Sequence, residues 1–261
     1  MSYHHKLQAS RFELKFIVDE HCAEGVRDFA RSYLEVDEYA DPAKMNSYPI
    51  HSLYCDNSEL FLYRQTVCGE KNRFKLRIRF YDDNPDHPAF LEIKRRVTDV
   101  IRKERAKVTR EGARRILAGH GPERSFLADP ENDDVSASAM INFCDLRDHV
   151  GAVGCIYVSY TREAYVSPNS DLIRVTFDRL LYGSPYQQGD PLRLPSDGTY
   201  PATGNGERVI LELKFTDRFA GWMRELVQEF NLQRTSVPKY VHCIDEMGLQ
   251  SGEWHGGGMI G

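Results

Sequence analysis

The sequence predicts an α+β protein built on an antiparallel, roughly eight-stranded β-barrel, closed or nearly closed, with helices packed outside it. Two observations predict this fold. Several strand-like segments alternate charged and apolar residues with the period of two that a strand imposes, and the helical segments carry apolar stripes able to cover a sheet from outside. The 261-residue chain has an ordinary globular composition, with 41% hydrophobic and 28% charged residues. We expect one domain over residues 1–250 and a flexible, glycine-rich tail over 251–261.

The strands are the first elements of this prediction. They are rich in β-branched and aromatic residues and are separated by turn signals such as DDNPDHP. They fall near residues 11–18, 47–54, 73–81, 89–96, 99–108, 154–166, 172–179 and 208–215. Apolar residues at helical spacing predict helices over 20–34, 109–118, 138–150 and 217–231, and the Gly- and Pro-rich stretch 182–207 predicts a long surface excursion.

Charged residues share one face of several predicted strands. A Glu-x-Lys pattern recurs, and in the stretch RFKLRIRFY at 73–81 four basic residues alternate with apolar ones. The charged faces comprise Arg11, Glu13, Lys15, Arg73, Lys75, Arg77, Arg79, Glu92, Lys94, Lys103, Arg105, Lys107, Arg174, Asp178, Glu212 and Lys214. Each of these strands therefore has a polar side and an apolar side.

The alternation fits two arrangements. An open antiparallel sheet with one wet face would place the charges in solvent. A barrel that encloses its charged face would surround net positive charge, which an anionic ligand, water or a metal must compensate. Arg and Lys bind phosphate oxygens, and the carboxylates would then hold a divalent cation against them. The number of alternating strands favours the barrel with a phosphate chain inside it.

The overall charge limits the classes of partner. The 34 basic and 39 acidic residues give a net charge of −5, which argues against indiscriminate binding to nucleic acid or to an anionic membrane. No apolar run approaches the roughly 20 residues that span a bilayer. We therefore expect a cytoplasmic protein with no nucleic-acid partner and no membrane insertion by this chain.

A set of motifs resembles one known family. They are RFELKF at 11–16, SLYCDN at 52–57, KLRIRFY at 75–81, FLEIKRR at 90–96, YTREAY at 160–165, IRVTFDR at 173–179, LELKF at 211–215 and SVPKYVHCIDE at 236–246. Together they resemble the VTC domain, the polyphosphate polymerase domain of the vacuolar transporter chaperone complex, within the triphosphate tunnel metalloenzymes. The resemblance runs from about residue 8 to 246 and implies a tunnel of antiparallel strands that binds ATP and polyphosphate or triphosphate with Mn²⁺ or Mg²⁺.

The resemblance also assigns roles to residues of this sequence. The basic residues that match its catalytic, phosphate-binding positions are Lys15, Arg77, Arg79, Lys94, Arg162, Arg174 and Lys239. Further phosphate contacts are expected, from loop alignment or strand face, at Arg64, Lys75, Lys103, Lys214 and Ser236. Glu212 matches the metal ligand, and the other carboxylates that could share the cation are Glu13, Glu92 and Asp178.

Three functions remain open from the sequence. The first is a polyphosphate polymerase, a metal-dependent phosphotransferase that moves the γ-phosphate of ATP onto a growing polyphosphate chain. The second is a metal-dependent triphosphate hydrolase on the same scaffold, and the third is a non-catalytic module that binds polyphosphate or nucleotide. Hydrolase and cyclase members of the superfamily tend to show Glu-x-Glu-x-Lys on the first strand, whereas this chain has Arg11-x-Glu13-x-Lys15. That departure favours the polymerase.

Overall fold

One antiparallel sheet organises the chain. The structure, a computed structural model, describes residues 11–98, 100–168, 172–196, 200–201, 208–216 and 218–251. Ten strands join the sheet within these ranges. Their bounds are β1 Arg11–Asp19, β2 Glu35–Val36, β3 Ser47–Asp56, β4 Asn72–Phe80, β5 Ala89–Val97, β6 Val100–Val108, β7 Val153–Val166, β8 Ile173–Pro185, β9 Tyr200–Pro201 and β10 Arg208–Thr216.

Six α-helices accompany the strands in the described ranges. They are α1 Glu20–Ala30, α2 Phe61–Val67, α3 Arg110–Leu117, α4 Asp134–Val150, α5 Gly221–Glu229 and α6 Lys239–Glu246. Asp19 and Thr109 cap α1 and α3, since their side chains accept hydrogen bonds from the backbone N–H groups of Cys22 and Gly112. No helix in the described ranges is long and apolar enough to cross a membrane.

The predicted strands match the observed ones closely. The differences concern the segments that connect these strands. The short strands β2 and β9 and the helices α2 and α6 were not predicted. The surface excursion predicted from residue 182 is wrong at its start, because β8 continues to Pro185 and pairs there with β7. Parts of that excursion, residues 197–199 and 202–207, lie outside the described residues, as does the predicted tail after residue 251.

Strand pairing bends the sheet into a nearly closed barrel. The strands follow one another in the order β7, β3, β4, β5, β6, β1, β10 and β8, and β8 pairs back with β7. Of these steps, β6 to β1 is the weakest in the described residues, because it rests on a single residue pair, Arg11 with Ile101. The expected antiparallel α+β architecture is confirmed, and the barrel is nearly closed at this seam.

Helices cover the outer face of the sheet. On β4 and β5, Leu76 and Ile93 are buried against Ala113 of α3 and Met140 of α4. The outer faces of β1, β8 and β10 pack against α1 and α5, where the buried apolar residues include Phe16, Val26, Val175, Leu213, Met223 and Leu226. Burying these side chains supplies the main driving force for folding. The apolar sides of the alternating strands therefore face outward to helices, and the charged sides face inward.

Helix α6 fills one end of the interior. Its residues Tyr240 and Ile244 are buried in one cluster with Ile50, Tyr160 and Ile210 of the barrel strands. The chain leading into the helix is tied to β1, where the backbone N–H of Thr235 donates to the carbonyl of Lys15 at 2.8 Å. Pro238 precedes the first helical residue, Lys239, whose Nζ lies 2.7 Å from Asp178 of β8 and 2.7 Å from Glu212 of β10.

Asp56, a fully buried carboxyl at the end of β3, holds α2 and α6 together. It accepts hydrogen bonds from the backbone N–H groups of Leu62 and Tyr63 and from the hydroxyl of Tyr240, each at 2.9 Å. Burial raises the pKa of Asp56, and these donors oppose the rise. One side chain thus fixes the start of α2 and the position of the helix that fills the barrel end.

We expect Tyr240→Phe to lower the free energy of unfolding by about 1.5–3 kcal/mol, the range for a hydrogen bond to a charged group. The substitution removes only the hydroxyl that bonds to Asp56 and keeps the buried ring. Chemical denaturation measures the change, with Tyr39→Phe as the control because Tyr39 is 71% exposed. Equal stability of the two variants would contradict the role given to Asp56.

Candidate functional site

Glu212 on β10 is the centre of the first group of charges inside the barrel. It is 2% exposed. One of its oxygens lies 3.0 Å from Nζ of Lys15 and 2.7 Å from Nζ of Lys239. The other lies 2.5 Å from Nζ of Lys214 and 3.5 Å from the guanidinium of Arg162. Three strands and α6 therefore deliver four cations to one carboxylate.

Glu92 on β5 is the centre of a second group on the β4–β6 wall. It is fully buried, and Arg77 lies 2.6 Å away, Lys103 2.7 Å and Arg105 2.5 Å. Arg79 is more distant, at 3.9 Å. Arg77 also donates to the hydroxyl of Tyr54 at 3.0 Å, in a geometry that places its guanidinium over the tyrosine ring.

Two further carboxylates extend the Glu212 group. Glu13 on β1 pairs with Lys15 at 3.1 Å and with Lys94 of β5 at 2.9 Å. Asp178 on β8 binds Arg162 through two contacts of 2.6 Å and Lys239 at 2.7 Å. Each acid shares at least one cation with Glu212, so β1, β5, β7, β8, β10 and α6 surround one space.

The structure brings most of the predicted site residues together. Lys15, Arg77, Arg79, Lys94, Arg162, Lys239, Lys103 and Lys214 all lie in these two groups, together with Glu13, Glu92, Asp178 and Glu212. Lys75 pairs in register with Lys94 on the same face. Two predicted residues are not part of the network: Arg64 exposes 64% of its side chain and pairs with Glu59, and Ser236 is exposed in the loop before α6.

Arg174 reaches the interior with partners that the strand pattern did not indicate. Its guanidinium lies 2.7 Å from the carboxylate of Asp37 and donates to the hydroxyl of Tyr48 at 2.9 Å. Its Nε is buried and has no hydrogen-bond partner among the residues that the structure describes. Asp37 lies in the loop after β2, where no periodicity marks it. Arg105 contacts Glu92 but was not named among the predicted site residues. Its strand position could have identified it as one, because it shares the strand face of Lys103.

Burial and charge shift the pKa values of these groups in opposite directions. Burial alone would raise the pKa of the Glu212 carboxyl, but Lys15, Lys214 and Lys239 lower it well below its usual range. Burial lowers the pKa of Lys214 to about 8 although Glu212 opposes the change. The pKa of Lys15 is raised instead, because Glu212 and Glu13 outweigh the effect of burial.

The donor set limits how a metal could bind. Within the ranges that the structure describes, no three His, Cys, Asp or Glu residues lie together in a way that could hold an ion. Each interior carboxylate instead has several cationic partners. The residues fit the mode typical of Mg²⁺, in which one or two carboxylates share the ion with substrate phosphates and water. They do not form a metal site made of protein ligands alone.

Three features define a class of domain that encloses its charges. The antiparallel walls are nearly closed, the inner face is dominated by Lys and Arg, and helices cover the outer face. The family model of the VTC domain matches residues 10–247. The chain therefore belongs to the VTC domain family, as the motifs predicted.

Comparisons with solved structures and with curated proteins complete these findings. A protein from Bacillus halodurans described as a candidate adenylate cyclase is 12% identical, with a TM-score of 0.45 over 88% of this chain and 94% of its own. The PH1819 protein from Pyrococcus horikoshii is also 12% identical, with a TM-score of 0.45 over 91% of this chain and 99% of its own. No curated protein matches the chain.

An interior with this excess of cations should be stabilised by a multivalent anion. Tripolyphosphate is expected to raise the melting temperature more than chloride at matched ionic strength, because binding to the native state adds stability by mass action. Thermal melts over a concentration series test this. Equal shifts from the two salts would mean that the charges behave as ordinary surface charges.

Binding of a phosphate chain should also take up protons above about pH 8, because the pKa of Lys214 is about 8 in the free protein and a nearby anion raises it. Below that pH Lys214 is already charged. Above it the proton must be taken up, so the affinity for tripolyphosphate falls as pH rises through this range.

Calorimetry in two buffers of different ionisation enthalpy, without metal, measures the protons taken up. Lys214→Met should reduce the uptake. Lys44→Met is the matched control, because Lys44 exposes 66% of its side chain and pairs only with its neighbour Asp41 among the described ion pairs. Identical uptake in both variants would show that Lys214 does not titrate on binding.

Proposed function

We propose that this chain is a polyphosphate polymerase that transfers the γ-phosphate of ATP to a growing polyphosphate chain inside the barrel. The observation that supports it best is the pair of carboxylate centres, Glu212 and Glu92, each held by four cations. Membership of the VTC domain family supports the same reaction. Eight cations fixed by two acids form a preformed site for a polyanion.

In this proposal the basic side chains position and neutralise the phosphates. The guanidinium groups of Arg77, Arg79 and Arg174 hold nonbridging oxygens, and Arg forks suit that geometry. Lys15 and Lys94 add positive charge along the chain. The acceptor is a terminal phosphate oxygen that is already anionic near neutral pH, so the transfer needs no side-chain nucleophile and no general base.

The carboxylates have a structural part in this arrangement. Glu92 holds Arg77 and Arg105 in fixed positions, and Glu212 does the same for Lys15 and Lys239. The cations therefore need little rearrangement when phosphate arrives, which is the condition for strong electrostatic stabilisation of a transition state.

A divalent cation, Mn²⁺ or Mg²⁺, would be held by Glu212, with Glu13, Glu92 and Asp178 as the other carboxylates within the network. When bound, such an ion supplies further neutralisation of phosphate charge. Glu212 comes first because it matches the metal ligand of the family motif, and the ion would replace contacts that its carboxylate makes with Lys15 and Lys239.

A second candidate is a triphosphate hydrolase on the same scaffold. The observation that favours it is α6, whose residues Tyr240 and Ile244 fill one end of the interior and leave less length for a chain. The interior residues alone do not separate this activity from the polymerase, or either enzyme from a module that binds without turnover.

One assay separates these functions. Purified protein is incubated with ATP and Mn²⁺, and the products are resolved by length. Long polyphosphate supports the polymerase, free phosphate without polymer supports the hydrolase, and binding of ATP with neither product supports a non-catalytic module.

Substitutions at the two carboxylate centres should separate catalysis from binding. Glu212→Gln keeps the side-chain size and removes the charge, so turnover should fall by about 10²–10³-fold, the range for loss of one electrostatic stabiliser, with a smaller change in triphosphate affinity. Arg77→Ala deletes a charge-assisted contact and should weaken binding by about 1.5–3 kcal/mol.

Turnover across a metal titration and a metal-free binding isotherm measure the two effects, with melting curves to show that each variant folds. Arg114→Ala is the control, because Arg114 lies on the surface of α3 and pairs with Glu111. Full turnover in Glu212→Gln would remove Glu212 as the metal ligand and leave it as a counter-ion for the lysines.

A further inference from the structure

One acid beside an interior cation lies in a loop rather than on a strand. The carboxylates of the Glu212 and Glu92 groups belong to β1, β5, β8 and β10, so strand pairing fixes their positions. Asp37 instead follows β2, which has two residues, and its carboxylate lies 2.7 Å from the guanidinium of Arg174. Asp37 can therefore leave its cation without opening a strand pair of the barrel.

Strand β2 and the loop after it extend the rim of the barrel. β3 pairs with β7 as far as Glu163, and β2 continues along the same edge of β7 to Val166. The backbone N–H of Asp37 donates to the carbonyl of Ala164 at 2.9 Å, and Val166 lies opposite Arg174 on β8. This rim is at the end of the barrel away from α6, because α6 is tied to the last residue of β3.

The loop that carries Asp37 lies at the surface. Residues 38–46 are exposed or half-buried, and Tyr39 and Met45 expose 71% and 86%. The loop returns to β3 through Met45 and Asn46, two consecutive non-glycine residues with φ of 54° and 55°. Backbone in this region is strained, and such positions can act as hinges. Asp37 itself is only 5% exposed, so its contact with Arg174 anchors an otherwise superficial loop.

The contact with Asp37 leaves Arg174 incompletely paired. Its Nε is buried and has no hydrogen-bond partner among the described residues. Thr176 lies next on the same face of β8, and its fully buried hydroxyl has no partner among those residues either. Buried polar groups left unpaired cost stability, and phosphate oxygens are acceptors for both groups. The Asp37 carboxylate bonds to neither of these two atoms.

We propose that Asp37 is an anionic latch that competes with phosphate for Arg174, so that an entering phosphate chain displaces its carboxylate and releases the loop over residues 38–46. Two anions at one guanidinium repel each other, which makes the two contacts exclude each other. The inference rests on the proposed function, because it takes Arg174 as a phosphate-binding residue. It adds a conformational step at the rim of the barrel.

Binding to charge variants of the loop tests the latch. Asp37→Asn keeps the size of the side chain and removes its charge. Tripolyphosphate, titrated by calorimetry into the intact chain without metal, should bind on the order of 10-fold more tightly to this variant than to wild type, because no charge-assisted contact must be broken first. If Asp37 instead holds Arg174 in place for the ligand, the affinity falls.

Two further variants are the controls. Glu38→Gln removes one charge from the neighbouring exposed residue and should change the affinity by less than about 2-fold. Tyr48→Phe removes the hydroxyl that accepts from Arg174, without removing an anion, and should not raise the affinity. An equal or weaker affinity in Asp37→Asn, or a gain of the same size in either control, would overturn the latch.

Limited digestion with trypsin follows the loop in wild type and does not depend on the folding of a variant. Lys44 lies in the loop, and its cleavage should become several-fold faster when tripolyphosphate binds, because local opening exposes the backbone. Cleavage after Arg124, which is exposed between α3 and α4, is the internal control and should not become faster. Bound tripolyphosphate without faster cleavage at Lys44 would overturn the latch and leave the polymerase to the ATP assay. A wild type that does not bind tripolyphosphate would overturn the proposed function itself.

Discussion

The need to compensate charge inside the barrel is the constraint on which the rest of the structure depends. Four carboxylates, Glu13, Glu92, Asp178 and Glu212, are placed among the inner cations, and Glu92 and Asp178 are almost completely buried. An unpaired charge at such a position would cost several kcal/mol, so each acid has several basic partners. The acids hold the cations in place, and the remaining positive excess is what a phosphate chain could neutralise.

The same constraint explains why the strands alternate so regularly. With charges on the inside, the apolar residues must turn outward, and they require a cover of helices that a water-facing sheet would not need. Helices α3 and α4 cover one wall, where Met140 packs on the sheet, and α1 and α5 cover the other, where Met223 does. The interior charges and the outer helices are thus two results of one alternation.

The strands and their faces could be predicted because parity is a local property: Arg77 and Lys75 share a face whatever the rest of the chain does. Other features depend on contacts distant in sequence. Helix α6 is short, and its place inside the barrel end follows from packing of Tyr240 rather than from its own pattern. Asp37 meets Arg174 only because the loop after β2 returns to the sheet, while Arg64 resembled a site residue by alignment and lies on the exposed side of α2.

The pairing of β1 with β10 has a consequence for the order in which the molecule is made. These strands lie at opposite ends of the chain and match residue for residue from Arg11 with Thr216 to Asp19 with Arg208. On a ribosome, the hairpins of β3 to β6 can form early, but Lys15 has no Glu212 beside it until β10 emerges, and Lys239 arrives later still. Contacts of such long sequence separation form slowly. The Glu212 group is therefore the last part of the charged interior to be assembled, whereas the Glu92 group can form as soon as β4, β5 and β6 have emerged.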